Sequence, residues 1–168
     1  MFYTIKEDCS AEITEKKSKF ICNVFHVESV EEAEKKLNII RKKYHDARHN
    51  CFVYKVVEEG VFKASDDGEP SGTAGKPILG QINSNELTDI LIIVVRYFGG
   101  IKLGTRGLIV AYKAAAAEAI AAATIIEKTV DEDVTVMFEY PFMNDIMRIV
   151  KEEEPEILNQ SYDMDCSM

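Results

Sequence analysis

Six consecutive apolar residues, Ile90-Leu91-Ile92-Ile93-Val94-Val95, constrain this chain more than any other stretch. Side chains of a β-strand alternate between the two faces of a sheet. A strand that is apolar at every position must be covered on both faces. The span from Asp89 to Tyr97 is therefore read as a fully buried strand, and the rest of the fold must supply what covers it.

Glycine is concentrated around this strand. Eight of the nine glycines fall between Asp66 and Gly107. Glycine loses more backbone freedom on folding than any other residue, so such a concentration needs tight turns or a ligand lying against bare backbone. Before the strand runs Asp66-Asp67-Gly68-Glu69-Pro70-Ser71-Gly72-Thr73-Ala74-Gly75-Lys76-Pro77. After it runs Arg96-Tyr97-Phe98-Gly99-Gly100-Ile101-Lys102-Leu103-Gly104-Thr105-Arg106-Gly107.

The remaining elements follow from periodicity. Alternating segments over 9–17 and 19–27 predict a hairpin that turns near Lys16-Lys17-Ser18. Ser29 suits a helix N-cap, with Glu32 placed for a capping box. Ala33, Leu37 and Ile40 follow at helical spacing. Arg41-Lys42-Lys43 closes the helix, where cations suit its dipole. A strand over 50–57, a turn at Glu58-Glu59-Gly60 and a short return strand over 61–65 come next. A short helix over 74–82 tolerates Pro77 only in its first turn. Thr105 is the expected N-cap of an alanine-rich helix running from Arg106 to about Thr124. Beyond Glu127 the pattern changes to a strand over 134–140, a helix from Pro141 ended by Pro155, and a strand over 157–164.

The net charge of −9 is not evenly spread. Residues 127–168 hold twelve acids and three bases, whereas residues 1–126 hold seventeen of each. From Arg96 to Lys113 there are four bases and no acids. An acidic chain can thus still offer the first part to an anionic partner. The four cysteines are far apart and lack metal-ligand pairing, which fits small buried hydrophobes. No secretory leader is apparent in the first residues. The alanine-rich run over 108–126 carries Lys113 and Glu118 and is too weakly apolar for a membrane span. The expected location is the cytoplasm, without membrane attachment.

Two nucleotide motifs fail on spacing. Gly75-Lys76 resembles the end of a phosphate-binding P-loop, but Pro70 stands where its first glycine belongs and Pro77 where a hydroxyl is needed. Gly100, Gly104 and Gly107 do not fit a dinucleotide fingerprint. Anion binding in a broader sense remains. A strand, a Gly-Gly turn and a helix start occur in that order, so free N–H groups and the helix dipole can face an anion. Lys76, Arg96, Gly99, Gly100, Lys102, Gly104, Thr105 and Arg106 form this candidate surface. The same glycines equally suit a tight turn under a closely packed helix.

Asp66, Asp67 and Glu69 are a second candidate group, able to hold Mg²⁺ or to act as acid and base. For Asp66 and Asp67, turn capping, or pairing with Lys76 and Arg96, is the other reading. His45 and His49 have the spacing of zinc ligands only if a helix continues through His49, where strand residues begin. Cys51 beside His49 lacks an identifiable oxyanion partner for nucleophilic catalysis.

Four blocks together resemble the YigZ/IMPACT family. They are Ser18-Lys19-Phe20-Ile21, His49-Asn50-Cys51, the run from Asp66 to Leu79, and Arg96 to Gly104 leading into Ala111-Tyr112. Arg106 stands where the family usually has glycine. The resemblance covers residues 1–126 and implies an α+β fold. Its first domain would be a two-layer β-sheet/helix structure like a domain of a small-subunit ribosomal protein. Residues 127–168 would supply half, β-α-β, of a ferredoxin-like unit similar to one in elongation factor G. Eukaryotic relatives regulate translation by competing for the co-activator of a stress kinase, using an additional N-terminal domain. For this chain the resemblance implies an association with translation or RNA.

The resulting expectation is a binding protein rather than an enzyme, with no cofactor. It docks RNA, a ribosome-associated component or a translation-related protein through the glycine-rich basic surface. Self-association through the incomplete C-terminal unit is a further expectation. The alternative is a Mg²⁺-dependent enzyme acting on a phosphorylated small molecule through Asp66, Asp67 and Glu69.

Overall fold

The computed structural model describes residues 1–162 and 166–167. They form two compact units, Met1–Val130 and Asp131–Met168.

The first unit opens with β1 (Phe2–Ile5), followed by the hairpin of β2 (Cys9–Glu15) and β3 (Ser18–His26). The hairpin turns through Lys16 and Lys17 at φ of 46° and 66°. Positive φ at both positions gives the turn whose twist matches its strands. Helix α1 (Val30–Lys43) starts where expected, and the Ser29 hydroxyl accepts the Glu32 N–H at 3.1 Å. Then come β4 (His49–Val56), β5 (Val61–Ser65), α2 (Gly75–Ser84), β6 (Ile90–Tyr97), α3 (Gly104–Ala122) and β7 (Ile125–Lys128).

Five strands form one antiparallel sheet in the order β2-β3-β6-β4-β5. The continuously apolar β6 lies in its middle. Ile90, Ile92 and Val94 pack with Phe20, Cys22 and Val53 against Ile78 and Ile82 of α2 and Leu108 and Tyr112 of α3. Leu91, Ile93 and Val95 pack on the other face with Phe52, Tyr54 and Val56 against Ala33, Leu37 and Ile40 of α1. The expected two-layer first domain is thus corrected to helices on both faces of one sheet. The reason is the same unbroken apolar run, which leaves β6 no face to give to water. The residues of α3 that meet the sheet include Ala111, Ala115, Ala116 and Ala119, all buried, and their small side chains allow close approach.

Two features of this unit were not read from the sequence. β1 and β7 pair antiparallel as a separate two-stranded sheet. Helix α3 starts at Gly104 with Leu103 in the cap position, so Thr105 lies inside the first turn and is not the N-cap. Gly104, at φ 74°, makes the sharp entry that lets the helix begin there.

The second unit contains β8 (Met137–Phe138), a 3-10 turn over Tyr140–Phe142, α4 (Met143–Glu153), β9 (Ser161–Tyr162) and β10 (Cys166–Ser167). β10 lies between β8 and β9, antiparallel to each. The strand expected over 134–140 shrinks to two residues, and Val134 is 72% exposed. Of the strand expected over 157–164, Ser161–Tyr162 is strand, and residues 163 and 164 lie outside the described residues.

Candidate functional site

Register places three side chains in a row at one end of the large sheet. Phe20 on β3 and His49 on β4 are the cross-strand partners of Arg96 on β6. Arg96 continues the alternation of Ile92 and Val94, so it projects to the face covered by α2 and α3. Its guanidinium lies 5.7 Å from the Phe20 ring centroid and 5.8 Å from that of Phe98. Arg96 therefore does not stand on an open basic surface.

The loop between β5 and α2 covers this row. Glu69 turns inward and is buried. Its Oε1 accepts from Arg96 Nη1 at 2.6 Å and from the Tyr112 hydroxyl at 3.0 Å. His49 Nε2 lies 3.4 Å from the same oxygen, while His49 Nδ1 meets the Asp67 carbonyl at 2.9 Å. A short charge-assisted bond inside a low-dielectric site is strong, and breaking it strands a buried charge. Gly68 lies against the His49 ring, where a Cβ would sit 3.4 Å from Nδ1, and its φ is 84°. Both facts suit glycine at this point of the loop.

Cys51 Sγ lies 3.0 Å from the Asp66 carbonyl and 3.4 Å from the Tyr112 hydroxyl. Burial, countered in part by the Tyr112 hydrogen bond and reinforced by the nearby carboxylates, pushes the Cys51 thiol up to about 12. It stays protonated, and His49 is engaged elsewhere, so the pair does not make a nucleophile. Burial, with the neighbouring Cys51 and Glu69, likewise raises the Tyr112 phenol.

The other two acids of the loop serve its own backbone. Asp66 Oδ1 accepts from Ala74 N at 3.1 Å and Gly75 N at 2.9 Å, and Oδ2 accepts from Gly72 N at 3.0 Å. It caps α2 from a position well outside the helix. Burial raises the Asp66 carboxyl, but the N–H groups of Gly72, Gly75 and Ala74 outweigh it and hold it below its ordinary value. Asp67 Oδ2 accepts from Asn50 N at 2.7 Å. The three carboxylates thus diverge onto separate protein donors. Among the described residues, no group of three or more His, Cys, Asp or Glu is placed to hold a metal ion.

The segment after β6 is built differently. Gly99 lies against the backbone of the β2–β3 turn, where a Cβ would come within 2.0 Å of the Lys17 carbonyl oxygen. Phe98 is 58% exposed, and Lys102, Thr105 and Arg106 are exposed. Among the described residues, neither Lys102 nor Arg106 is in an ion pair with a distance of 4.0 Å or less. Gly100 and Gly104 both have positive φ, 91° and 74°. Lys76 is exposed in the first turn of α2.

Sequence reasoning gathered all eight residues of the basic group on one surface; the structure removes Arg96 to the buried cluster. Of the two readings offered for Asp66 and Asp67, capping of backbone N–H groups is the one observed, and the partner of Arg96 is Glu69. Tyr112 was missed as a site residue. The available signal was a tyrosine amid the small side chains of an alanine-rich helix, since a buried hydroxyl needs a partner.

The fold and this cluster define a class of protein: an antiparallel sheet flanked by helices, with a glycine-rich loop locked over one sheet end. The Impact N-terminal domain family matches residues 16–120. The chain belongs to the IMPACT family. It is 37% identical over 154 residues to the IMPACT family member YvyE of Bacillus subtilis (strain 168), covering 91% of this chain and 71% of the relative. It is also 37% identical over 150 residues to the member YigZ of Escherichia coli (strain K12), covering 88% of this chain and 74% of that one. A crystal structure described as that of a hypothetical protein superposes with a TM-score of 0.76 at 32% identity, covering 99% of this chain and 82% of that one. No helix among the described residues is long and apolar enough to cross a membrane.

Proposed function

We propose that this chain is a translation-associated binding protein whose first unit docks RNA. The proposed contact surface is the loop and helix start after β6: Phe98, Gly99, Gly100, Lys102, Gly104, Thr105 and Arg106. Lys76 adds a cation at the start of α2. The observation that carries the reading is that Lys102 and Arg106 are exposed and lack ion-pair partners among the described residues. Exposed cations without carboxylate partners are free to meet phosphate, and the exposed Phe98 ring offers a stacking face to an unpaired base. The link to translation rests on family membership, because eukaryotic relatives regulate translation. In the second unit, the placement of β10 between β8 and β9 supports the ferredoxin-like reading.

The test is salt-dependent binding of a mixed-sequence single-stranded RNA. Removing two phosphate contacts in a Lys102→Ala, Arg106→Ala double variant should lower the slope of log affinity against log salt by about 1.4, at roughly 0.7 per contact. Phe98→Ala should weaken binding at all salt concentrations without changing that slope. Unchanged RNA binding in the double variant would remove the proposed surface. Capture of a protein partner that survives nuclease treatment, with no RNA affinity, would replace the reading with a protein-docking one.

A further inference from the structure

The second unit carries an apolar cleft that its described residues line but do not fill. Helix α4 presents Ile146, Ile149 and Val150 to it, and Val136 and Ile157 line it from the flanking segments. Its volume is about 520 Å³. Ile149 is 48% exposed, and none of residues 131–162 is buried. Exposed apolar surface concentrated in a concave site marks a place where something binds.

The charge around the cleft selects among occupants. Glu132, Asp133 and Glu156 line it together with the apolar residues. Residues 131–168 hold eleven acids and two bases. A second copy of this chain would bring the same excess of negative charge to the contact. An anionic lipid surface would be repelled for the same reason. A cationic amphipathic helix matches both features: one apolar stripe for the cleft and Lys or Arg at its edges for the acids.

We propose that this cleft is a docking groove for a cationic amphipathic helix of a partner protein. Apolar side chains of the helix enter beside Ile146, Ile149 and Val150. Its flanking cations meet Glu132, Asp133 and Glu156, which raises the association rate and excludes acidic partners. The groove lies in the second unit, so this proposal stands or falls separately from RNA docking by the first.

The full chain is titrated into a fluorescent Leu/Lys peptide patterned with helical period, and a Leu/Glu peptide of the same pattern serves as control. Binding of the first and not the second is expected. A Glu132→Lys, Asp133→Lys, Glu156→Lys variant should bind the Leu/Lys peptide about tenfold more weakly or worse. The same change of charge at Glu7, Glu15 and Glu118 of the first unit should have less than about a twofold effect. Ile149→Ser should weaken binding while leaving RNA affinity unchanged. Equal weakening by the two charge variants would reduce the interaction to general charge attraction and overturn the proposal. So would binding of the Leu/Glu peptide. A dimer in sedimentation that Ile149→Asp dissociates would make a second copy the occupant and also overturn it.

Discussion

Every residue of the apolar run from Ile90 to Val95 in the first unit is buried, whereas none of residues 131–162 in the second unit is. Hydrophobic content does not explain the contrast, because Val134, Val136, Ile146, Ile149 and Val150 are as apolar as Ile90 to Val95. The number of layers does. β6 has hydrogen-bonded neighbours along both edges and helices over both faces. β8 and β9 are two residues long, and α4 is the unit's one α-helix among the described residues. Burial needs a second surface, and a small unit with one helix does not provide it. The first unit therefore closes a core of its own, whereas residues 131–162 of the second leave their apolar side chains exposed or half-buried.

Four substitutions test this contrast. Glu69→Ala should be the most damaging, since it leaves the Arg96 guanidinium buried without its carboxylate. Loss of one member of such a pair costs about 3–5 kcal/mol, which a urea midpoint would read. A cost below about 1 kcal/mol would mean that the cluster does not hold the loop to the sheet. Gly99→Ala comes next. Its Cβ would meet the Lys17 backbone rather than a movable side-chain end, so a cost of about 1–3 kcal/mol is expected.

Asp66→Ala should cost about 0.5–2 kcal/mol, the range for a lost helix cap. Its pH dependence has a definite sign. The folded-state carboxyl is held below its ordinary value, so its contribution is present above the unfolded value of about 3.9. It is lost as pH falls through the lower folded value. Acid unfolding of the variant should therefore show a shallower limb below about pH 4. The smallest effect should be that of Ile149→Ser, under about 0.5 kcal/mol, because it removes an exposed side chain. A large cost there would show that the second unit already buries this face, and the comparison between the units would fail.

Much of the first unit could be read before its structure was known. The hairpin over Lys16-Lys17, the helix capped by Ser29 and the buried strand around Ile92 are local patterns, and local patterns survive folding. The start of α3 was misplaced because a cap residue was sought at Thr105, while the conformation of Gly104 decided the entry. The strand over 134–140 was overestimated because alternation predicts a strand only where a neighbouring strand can pair with it.

The site was legible in composition but not in arrangement. The concentration of glycines, the acids at Asp66 and Glu69 and the bases from Arg96 to Arg106 all marked the segment that holds the Glu69–Arg96 pair. Sequence by itself determined that one strand had to be covered on both faces and that residues 16–120 belong to the IMPACT family. Only the tertiary structure decided that Arg96 faces inward to Glu69 while Lys102 and Arg106 face outward. The physical reason is the pleat and register of the sheet. Alternation along β6 assigns Arg96 to the helix-covered face, and pairing with β3 and β4 sets Phe20 and His49 beside it. Beyond β6 the chain packs against the β2–β3 turn at Gly99, and Lys102 and Arg106 are exposed.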